Sequence, residues 1–349
     1  MTDEFDDIEY TDVALLGFGN VGRALGRLIV QKNPFLQAEY GVTFRIVGIG
    51  TGRRGFAINP DGLDIEAAIQ AADAGTLASL HRGDPIPDAL TFIQTVPAQA
   101  IAETTPLNTR DGQPALDYLH AALSSGKHAV TANKGPVAFG YHVLRTLAEE
   151  EQRAFFFESS ALGGAPIIDL YRECLIGTKV FGVRGVFNST TNSILDRMRQ
   201  GVSFEDAVRE MQERGLAETD PSHDVDGWDS AVKLVILANV LMGADLRPND
   251  IDRTGIRGVT YEELTAAMQA GKTIRLLCDA HFEDGQVRAS VRPTALPNDD
   301  PVANNFGPTN TILFETEELH LQVTEHHGTP RSTAYGMLRD LINIARGRY

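Results

Sequence analysis

Six residues near the N-terminus constrain the fold of this chain more than any other feature. Asp12-Val13-Ala14-Leu15-Leu16 reads as a short buried strand, Gly17-Phe18-Gly19-Asn20-Val21-Gly22 follows without a spacer, and residues 23–30 have the apolar spacing of an amphipathic helix. A strand, a G-x-G-x-x-G turn and a helix in that order form a dinucleotide-binding unit. The first glycine permits the tight turn, the second lets the backbone approach a pyrophosphate, and the third lets the helix pack on the strand. The free N–H groups at the helix start then face the anion. A purely structural glycine turn would look the same in isolation, so the reading depends on an α/β alternation downstream.

That alternation follows. Residues 44–49 are apolar and form the expected second strand. An NAD-selective site would place an acid at its end. The chain instead reads Gly50-Thr51-Gly52-Arg53-Arg54-Gly55, and two arginines there suit a 2′-phosphate, so NADP(H) is preferred with NAD(H) also accepted. A solvated basic loop is the plainer alternative. Residues 90–96 read as a strand or a strand-like linker, and Ala102-Glu103-Thr104-Thr105-Pro106 as a short segment ending in polar residues. Residues 117–125 suit a helix closed by Gly126, residues 128–131 a strand, 141–153 a helix and 154–158 a strand. Lys134 falls at the carboxyl end of a strand, where open α/β sheets bind ligands. Repeated βαβ units imply a parallel sheet covered on both faces.

The character changes after Glu158. Residues 159–166 form a turn of small residues, 167–175 a helix and 179–187 a strand; Asn188-Ser189-Thr190-Thr191-Asn192 is a polar turn able to cap a helix over 193–199. A helix over 204–214 precedes the most acidic turn, Glu218-Thr219-Asp220-Pro221-Ser222-His223-Asp224-Val225-Asp226-Gly227-Trp228-Asp229. Asp229 and Lys233 share one helix face at i,i+4 spacing, and the run after Lys233 is apolar nearly all round, as in a buried helix. A lysine at that position either pins the helix by an ion pair or transfers a proton. His223 has no second metal ligand at useful spacing and reads as a loop histidine; Trp228 packs the turn. Strands over 286–291, 311–314 and 320–323 follow, then a helix over 332–346 that returns to the first domain. The expected fold class is α/β: a Rossmann-type dinucleotide-binding domain (1–157 with 328–349) and an α+β catalytic and dimerisation domain (158–327).

Composition narrows the function. The 349 residues carry Lys+Arg 31 against Asp+Glu 47, a net charge of −16. That excludes the basic surface expected for nucleic-acid or anionic-membrane partners. Cys174 and Cys278 show neither metal spacing nor a disulfide framework, which suits a cytoplasmic protein. The acidic start, Met1-Thr2-Asp3-Glu4-Phe5-Asp6-Asp7, lacks an apolar signal region, and the longest apolar run falls short of the ~20 residues that cross a bilayer.

Four stretches together carry a family resemblance: Gly17 to Gly22, Thr131-Ala132-Asn133-Lys134-Gly135-Pro136, Asn188 to Asn192, and Glu218 to Lys233. In order and spacing the chain resembles homoserine dehydrogenases, which interconvert L-aspartate 4-semialdehyde and L-homoserine with NAD(P)H. The resemblance implies Lys233 as proton donor and acceptor, with Asp229 one turn before it. It implies substrate contacts from Glu218, Asp224 and Thr190, and places Lys134 between nicotinamide and substrate. It assigns Gly17, Phe18, Gly19, Asn20, Val21, Gly22 and Thr105 to the cofactor. Glu158, Ala161, Gly163 and Ala165 match a loop that holds a monovalent cation, usually sodium, mostly through backbone oxygens. A homodimer and a small amino-acid substrate are implied as partners. Three departures from the family pattern stand out: Ser189 and Leu162 where glycine is usual, and Gly328-Thr329-Pro330-Arg331-Ser332 before Thr333-Ala334. Two rivals follow from the same residues, a related reductase of another amino-acid or semialdehyde substrate and a non-catalytic NADP-binding sensor. A sensor has no reason to keep Lys233, Asp229, Glu218 and Lys134 together.

The chemistry needs a hydride donor, an acid near the carbonyl oxygen, and grips for the substrate's ammonium and carboxylate. Acids at 218, 224 and 229 suit the ammonium, and Lys134 suits the developing alkoxide.

Overall fold

The computed structural model describes residues 9–326 and 328–349, so the acidic start Met1–Asp7 lies outside the described residues. The chain forms two compact units. One comprises the residues up to Gly164 together with Thr329–Tyr349, the other Ala165–Gly328.

The first unit is built on six strands: β1 (Tyr10–Leu16), β2 (Thr43–Thr51), β3 (Gly55–Ile58), β4 (Ala100–Glu103), β5 (His128–Thr131) and β6 (Phe155–Phe156). Their order is β3-β2-β1-β4-β5-β6, parallel throughout except for the β2–β3 hairpin. The order reverses direction between β1 and β4, so the carboxyl ends of these two strands open a ligand crevice. Val13, Ala14, Leu15, Ile101, Ala129 and Val130 are all fully buried, as strands covered on both faces require.

Two elements differ from the sequence reading. The first helix runs Asn20–Tyr40, ten residues beyond 30, and carries Pro34 inside it. Asn33 compensates by bonding β2 twice, Nδ2 to the Phe44 carbonyl at 2.8 Å and Oδ1 from its N–H at 3.0 Å. The helix stops where Gly41 adopts φ 67. Residues expected as a strand or linker over 90–96 are instead the helix Ala89–Thr95. The Asp88 carboxylate caps it by accepting the Thr91 N–H at 2.8 Å, and Phe92 and Ile93 are both fully buried. Further on, the helix after β5 starts at once, Lys134–Glu150, and not at 141.

The last helix, Pro330–Ala345, packs against Asn20–Tyr40 and supplies Ala334, Met337, Leu338, Leu341 and Ile344 to the core of this unit. The Gly328–Ser332 departure forms its cap: Thr329 Oγ1 accepts the Ser332 N–H at 3.1 Å.

The second unit holds β7 (Val180–Val186), β8 (Asp252–Arg253), β9 (Lys272–Glu283), β10 (Gln286–Pro297), β11 (Thr309–Thr316) and β12 (His320–His326), ordered β12-β11-β7-β9-β10-β8. It is antiparallel except for the β8–β10 pair. Asp284 (φ 51) and Gly285 (φ 77) close the β9–β10 hairpin in the two-residue turn that Asp-Gly favours. Helix Trp228–Met242 lies on β7, β9 and β10 and is buried almost all round, as its apolar run predicts. The cap of the preceding strand–helix turn is one residue long, so the helix begins at Ser189 and not 193, running to Arg199. No helix among the described residues is long and apolar enough to cross a membrane.

Candidate active site

At the carboxyl ends of β1, β4 and β5 the backbone geometry explains the glycines. Gly17 has φ +96, and a Cβ there would lie 2.5 Å from the Thr104 carbonyl group. A Cβ on Gly22 would lie 2.3 Å from the Gly17 oxygen. Gly19 differs: a Cβ there meets nothing within 4 Å. Two glycines thus let the turn close on β4 and on the helix, and the second faces the open side from which a phosphate can approach. Thr104 Oγ1 donates to the Gly17 carbonyl at 2.9 Å, joining the two loops. These residues fit a dinucleotide.

Sequence reasoning missed the acid beneath this crevice. Glu103, last residue of β4, is fully buried. It accepts from the Thr105 N–H at 2.6 Å and from Thr131 Oγ1 at 2.5 Å, with Thr105 Oγ1 and Asn133 Nδ2 also donating to it. Burial pushes its carboxyl up, against these donors. Glu103 therefore ties the Thr105 loop to the Asn133-Lys134 segment. Asn133 Oδ1 accepts the Gly135 N–H at 3.1 Å and caps the helix that Lys134 begins. An acid closing an otherwise apolar strand was the available signal.

Arg53 and Arg54 are exposed in the β2–β3 turn. Arg54 lies 3.7 Å from Asp73, which Arg23 also binds through both guanidinium nitrogens, at 2.5 and 3.2 Å. The Arg23 hydrogen bond, more than any other cause, lowers the Asp73 carboxyl below its ordinary value. Arg23 also donates to the Phe18 carbonyl at 3.1 Å, holding the glycine turn. Neither Arg23 nor Asp73 was legible as part of the site.

The residues proposed for a cation divide by character. Glu158 is buried and pairs with Arg339 at 3.1 Å, and its N–H donates to Asp340 at 3.1 Å. Arg339 also donates to the Gly164 carbonyl at 3.4 Å. Ala161 and Ala165 are buried, and Gly163 has φ 58.

In the second unit the acidic turn folds onto the start of helix Trp228–Met242. Lys233 Nζ lies 2.8 Å from Asp229 Oδ2 and donates to the Phe187 carbonyl at 2.6 Å. The two side chains are 12% and 10% exposed, so this is a partly buried pair; Asp229 and the Phe187 carbonyl account for two of the three lysine N–H groups among the described residues. Asn188 donates to Asp224 at 2.7 Å and to Asp229 at 3.0 Å. The structure thus brings Asp224, Asp229 and Lys233 together. Burial, and next the charge of Asp229, raise the Asp224 carboxyl above its ordinary value; the Asn188 bond and Lys233 oppose this. Two acids and one lysine leave one formal negative charge in excess. Thr190 is buried with its hydroxyl donating to the Leu216 carbonyl at 2.7 Å. Glu218 is not drawn in: it is exposed, and its carbonyl, not its carboxylate, is held, by Gln212 at 3.0 Å. His223 lies in a helical turn, Ser222–Val225, and not in a loop. Trp228 packs as expected, its ring 3.7 Å from the Arg253 guanidinium.

The comparisons with known proteins agree with one another. The family model for homoserine dehydrogenase matches residues 166–342. The chain is 38% identical to an NAD(+)-dependent homoserine dehydrogenase of Pseudomonas canavaninivorans, over 95% of each chain. It is 37% identical to a homoserine dehydrogenase of Methanocaldococcus jannaschii, covering 95% of this chain and 98% of that one. A hyperthermophilic archaeal homoserine dehydrogenase in complex with NADPH superposes with a TM-score of 0.82 at 28% identity, over 98% of this chain and 99% of that one. A homoserine dehydrogenase of Thiobacillus denitrificans gives 0.82 at 27%, over 97% of this chain and 74% of that one. With the dinucleotide turn in one unit and the lysine–acid cluster in the other, the chain belongs to the homoserine dehydrogenase family.

Proposed function

We propose Lys233 as the proton-transfer group with which this homoserine dehydrogenase interconverts L-homoserine and L-aspartate 4-semialdehyde. The observation that carries this is the Asp224–Asp229–Lys233 cluster, in which two carboxylates face one ammonium and leave a formal negative charge. A substrate ammonium answers that charge at Asp224. Lys233, held by Asp229 and the Phe187 carbonyl, keeps one N–H for the substrate oxygen. In reduction it gives a proton to the alkoxide; in oxidation it takes one from the hydroxyl. When bound, the nicotinamide nucleotide supplies or accepts the hydride. Gly17, Phe18, Gly19, Asn20, Val21, Gly22 and Thr105 would hold it, and Lys134 adds positive charge at the same strand ends. Thr190 and Glu218 remain proposed as substrate contacts, Glu218 as the more peripheral of the two.

Homoserine-dependent reduction of NADP+ at alkaline pH tests the reading. Tight NADPH binding with no turnover would sink it in favour of the sensor. Turnover confined to another alcohol would favour the related reductase.

For cofactor choice we propose NADP(H) over NAD(H). Arg23 and Arg54 share the one Asp73 carboxylate, and Arg53 is exposed beside them, so the turn keeps a positive excess for a 2′-phosphate. Replacing Arg53 and Arg54 together by serine should raise KM for NADP+ about tenfold and leave KM for NAD+ nearly unchanged. Equal effects on both would overturn the preference.

Arg339 answers the charge of Glu158, and Asp340 adds a second acid beside it; a monovalent cation held by Glu158 with the backbone of Ala161, Gly163 and Ala165 stays a proposal. A second copy of the chain is the proposed partner, through exposed Ile176, Phe181 and Phe282 of the second unit. Light scattering should then give a mass near twice 37.9 kDa. An exposed Cys174 and a buried free Cys278 suit a reducing cytoplasm.

A further inference from the structure

Asn188 opens the polar turn expected to cap a helix from 193, and in the structure it is itself the cap of the helix that begins at Ser189: its Oδ1 accepts the Thr191 N–H at 2.8 Å. That bond fixes the orientation of the amide, with the nitrogen on the other side. Nδ2 then donates to two carboxylates at once, Asp224 Oδ1 at 2.7 Å and Asp229 Oδ2 at 3.0 Å. The residue is 5% exposed, and both its side-chain donors and its acceptor are used. Serine and aspartate cap helices as well as asparagine does. Neither donates two hydrogen bonds. The acids, and not the cap, explain why this position is asparagine.

We propose that Asn188 is a positioning residue for the reaction: by bridging Asp224 and Asp229 it keeps Asp224 ionised next to a second carboxylate, ready for the substrate ammonium. Two carboxylates this close, Asp229 buried and Asp224 half-buried, oppose each other's ionisation. The groups facing Asp224 are Asp229 and Lys233 from helix Trp228–Met242 and His223 from its own turn. On β9, Cys278 faces Asp229 and Lys233; burial pushes its thiol up to about 12, so it adds no charge. Asn188 donates from the opposite element, the start of helix Ser189–Arg199. The inference rests on the proposed role of Asp224 in holding homoserine.

Asn188→Asp is nearly isosteric. It keeps the cap, loses both donors and adds a charge. Asn188→Ser keeps the cap without bridge or charge. In both, kcat/KM for homoserine should lose its acid side at higher pH than in the wild type, by about one pH unit or more for the aspartate variant. KM carries that loss, since a neutral Asp224 cannot pair with an ammonium. Rates lowered evenly at every pH, with the acid limb unmoved, would reduce Asn188 to a cap.

Thermal unfolding gives a reading independent of turnover. A carboxyl raised by folding contributes stability below its unfolded value and loses it as pH rises through the folded value. The Tm deficit of Asn188→Ser, which adds no charge of its own, should therefore be larger near about pH 8 than near about pH 5. A deficit that does not change with pH overturns the bridge. If the wild type itself fails to oxidise homoserine, the functional reading falls and the unfolding comparison still decides the bridge.

Discussion

Lys233→Arg should fold, bind NADPH and turn over homoserine at least about a hundredfold more slowly than the wild type. Arginine keeps the positive charge that Asp229 pairs with at 2.8 Å. It cannot give up its proton in the working pH range. The variant therefore separates the two roles the sequence left open, an ion pair that pins the helix and a group that transfers a proton. Lys233→Ala loses both. It leaves Asp229 and Asp224 bonded to Asn188 without their cation, which destabilises a partly buried pair. Loss of activity in alanine alone would thus be ambiguous, while loss in arginine at unchanged Tm is not. Near-normal turnover in the arginine variant would return Lys233 to a structural role and leave the proton donor to be found elsewhere.

Alanine at Gly17 and at Gly19 should both weaken cofactor binding, and only the first should lower stability. Gly17 has φ +96, where a side chain is strained by about 1–3 kcal/mol. Its Cβ would also sit 2.5 Å from the Thr104 backbone, which is anchored by the Thr104 N–H to the Leu16 carbonyl at 2.7 Å and cannot give way cheaply. Gly17→Ala should lower Tm by several degrees and weaken cofactor binding with it. Gly19 has φ −85, open to any residue, and no atom within 4 Å of the added carbon. Gly19→Ala should leave Tm within about 2 °C and still raise the NADPH dissociation constant at least about tenfold, because the methyl takes the space into which the phosphates come. Calorimetric titration and thermal unfolding on both variants check this. Unchanged NADPH affinity in Gly19→Ala would place the pyrophosphate away from the turn.

The parts of this protein that could be read from sequence are those whose signal is local. The glycine turn is legible because close backbone approach at 17 and 22 admits no side chain. The buried helix after Trp228 is legible because fifteen residues, Trp228–Met242, carry an apolar run with Asp229 and Lys233 one turn apart at its start. Residues 90–96 misled because Phe92, Ile93 and Val96 suit a strand by composition; the capping Asp88 two residues earlier carried the better signal. The first helix was legible only to 30; beyond it, paired bonds from Asn33 to Phe44 hold the stretch that carries Pro34. Glu103, Asp73 and Asn188 escaped for one shared reason. Each acts on partners distant in sequence: Glu103 on Thr131 and Asn133, Asp73 on Arg23, Asn188 on Asp224 and Asp229. Periodicity and spacing do not report such pairs.

The first unit is assembled from both ends of the chain, with Ala334, Met337, Leu338 and Leu341 essentially unexposed in its core. A ribosome delivers Gly164 long before it delivers Thr329. Through that interval the nascent sheet of the nucleotide-binding unit waits with an apolar flank uncovered, while the segment Ala165–Gly328 emerges whole and can close on its own. Domains usually fold in the order they are synthesised. Here the unit that is started first is the one finished last, and its apolar surface stays open longest at the face where the final helix will dock.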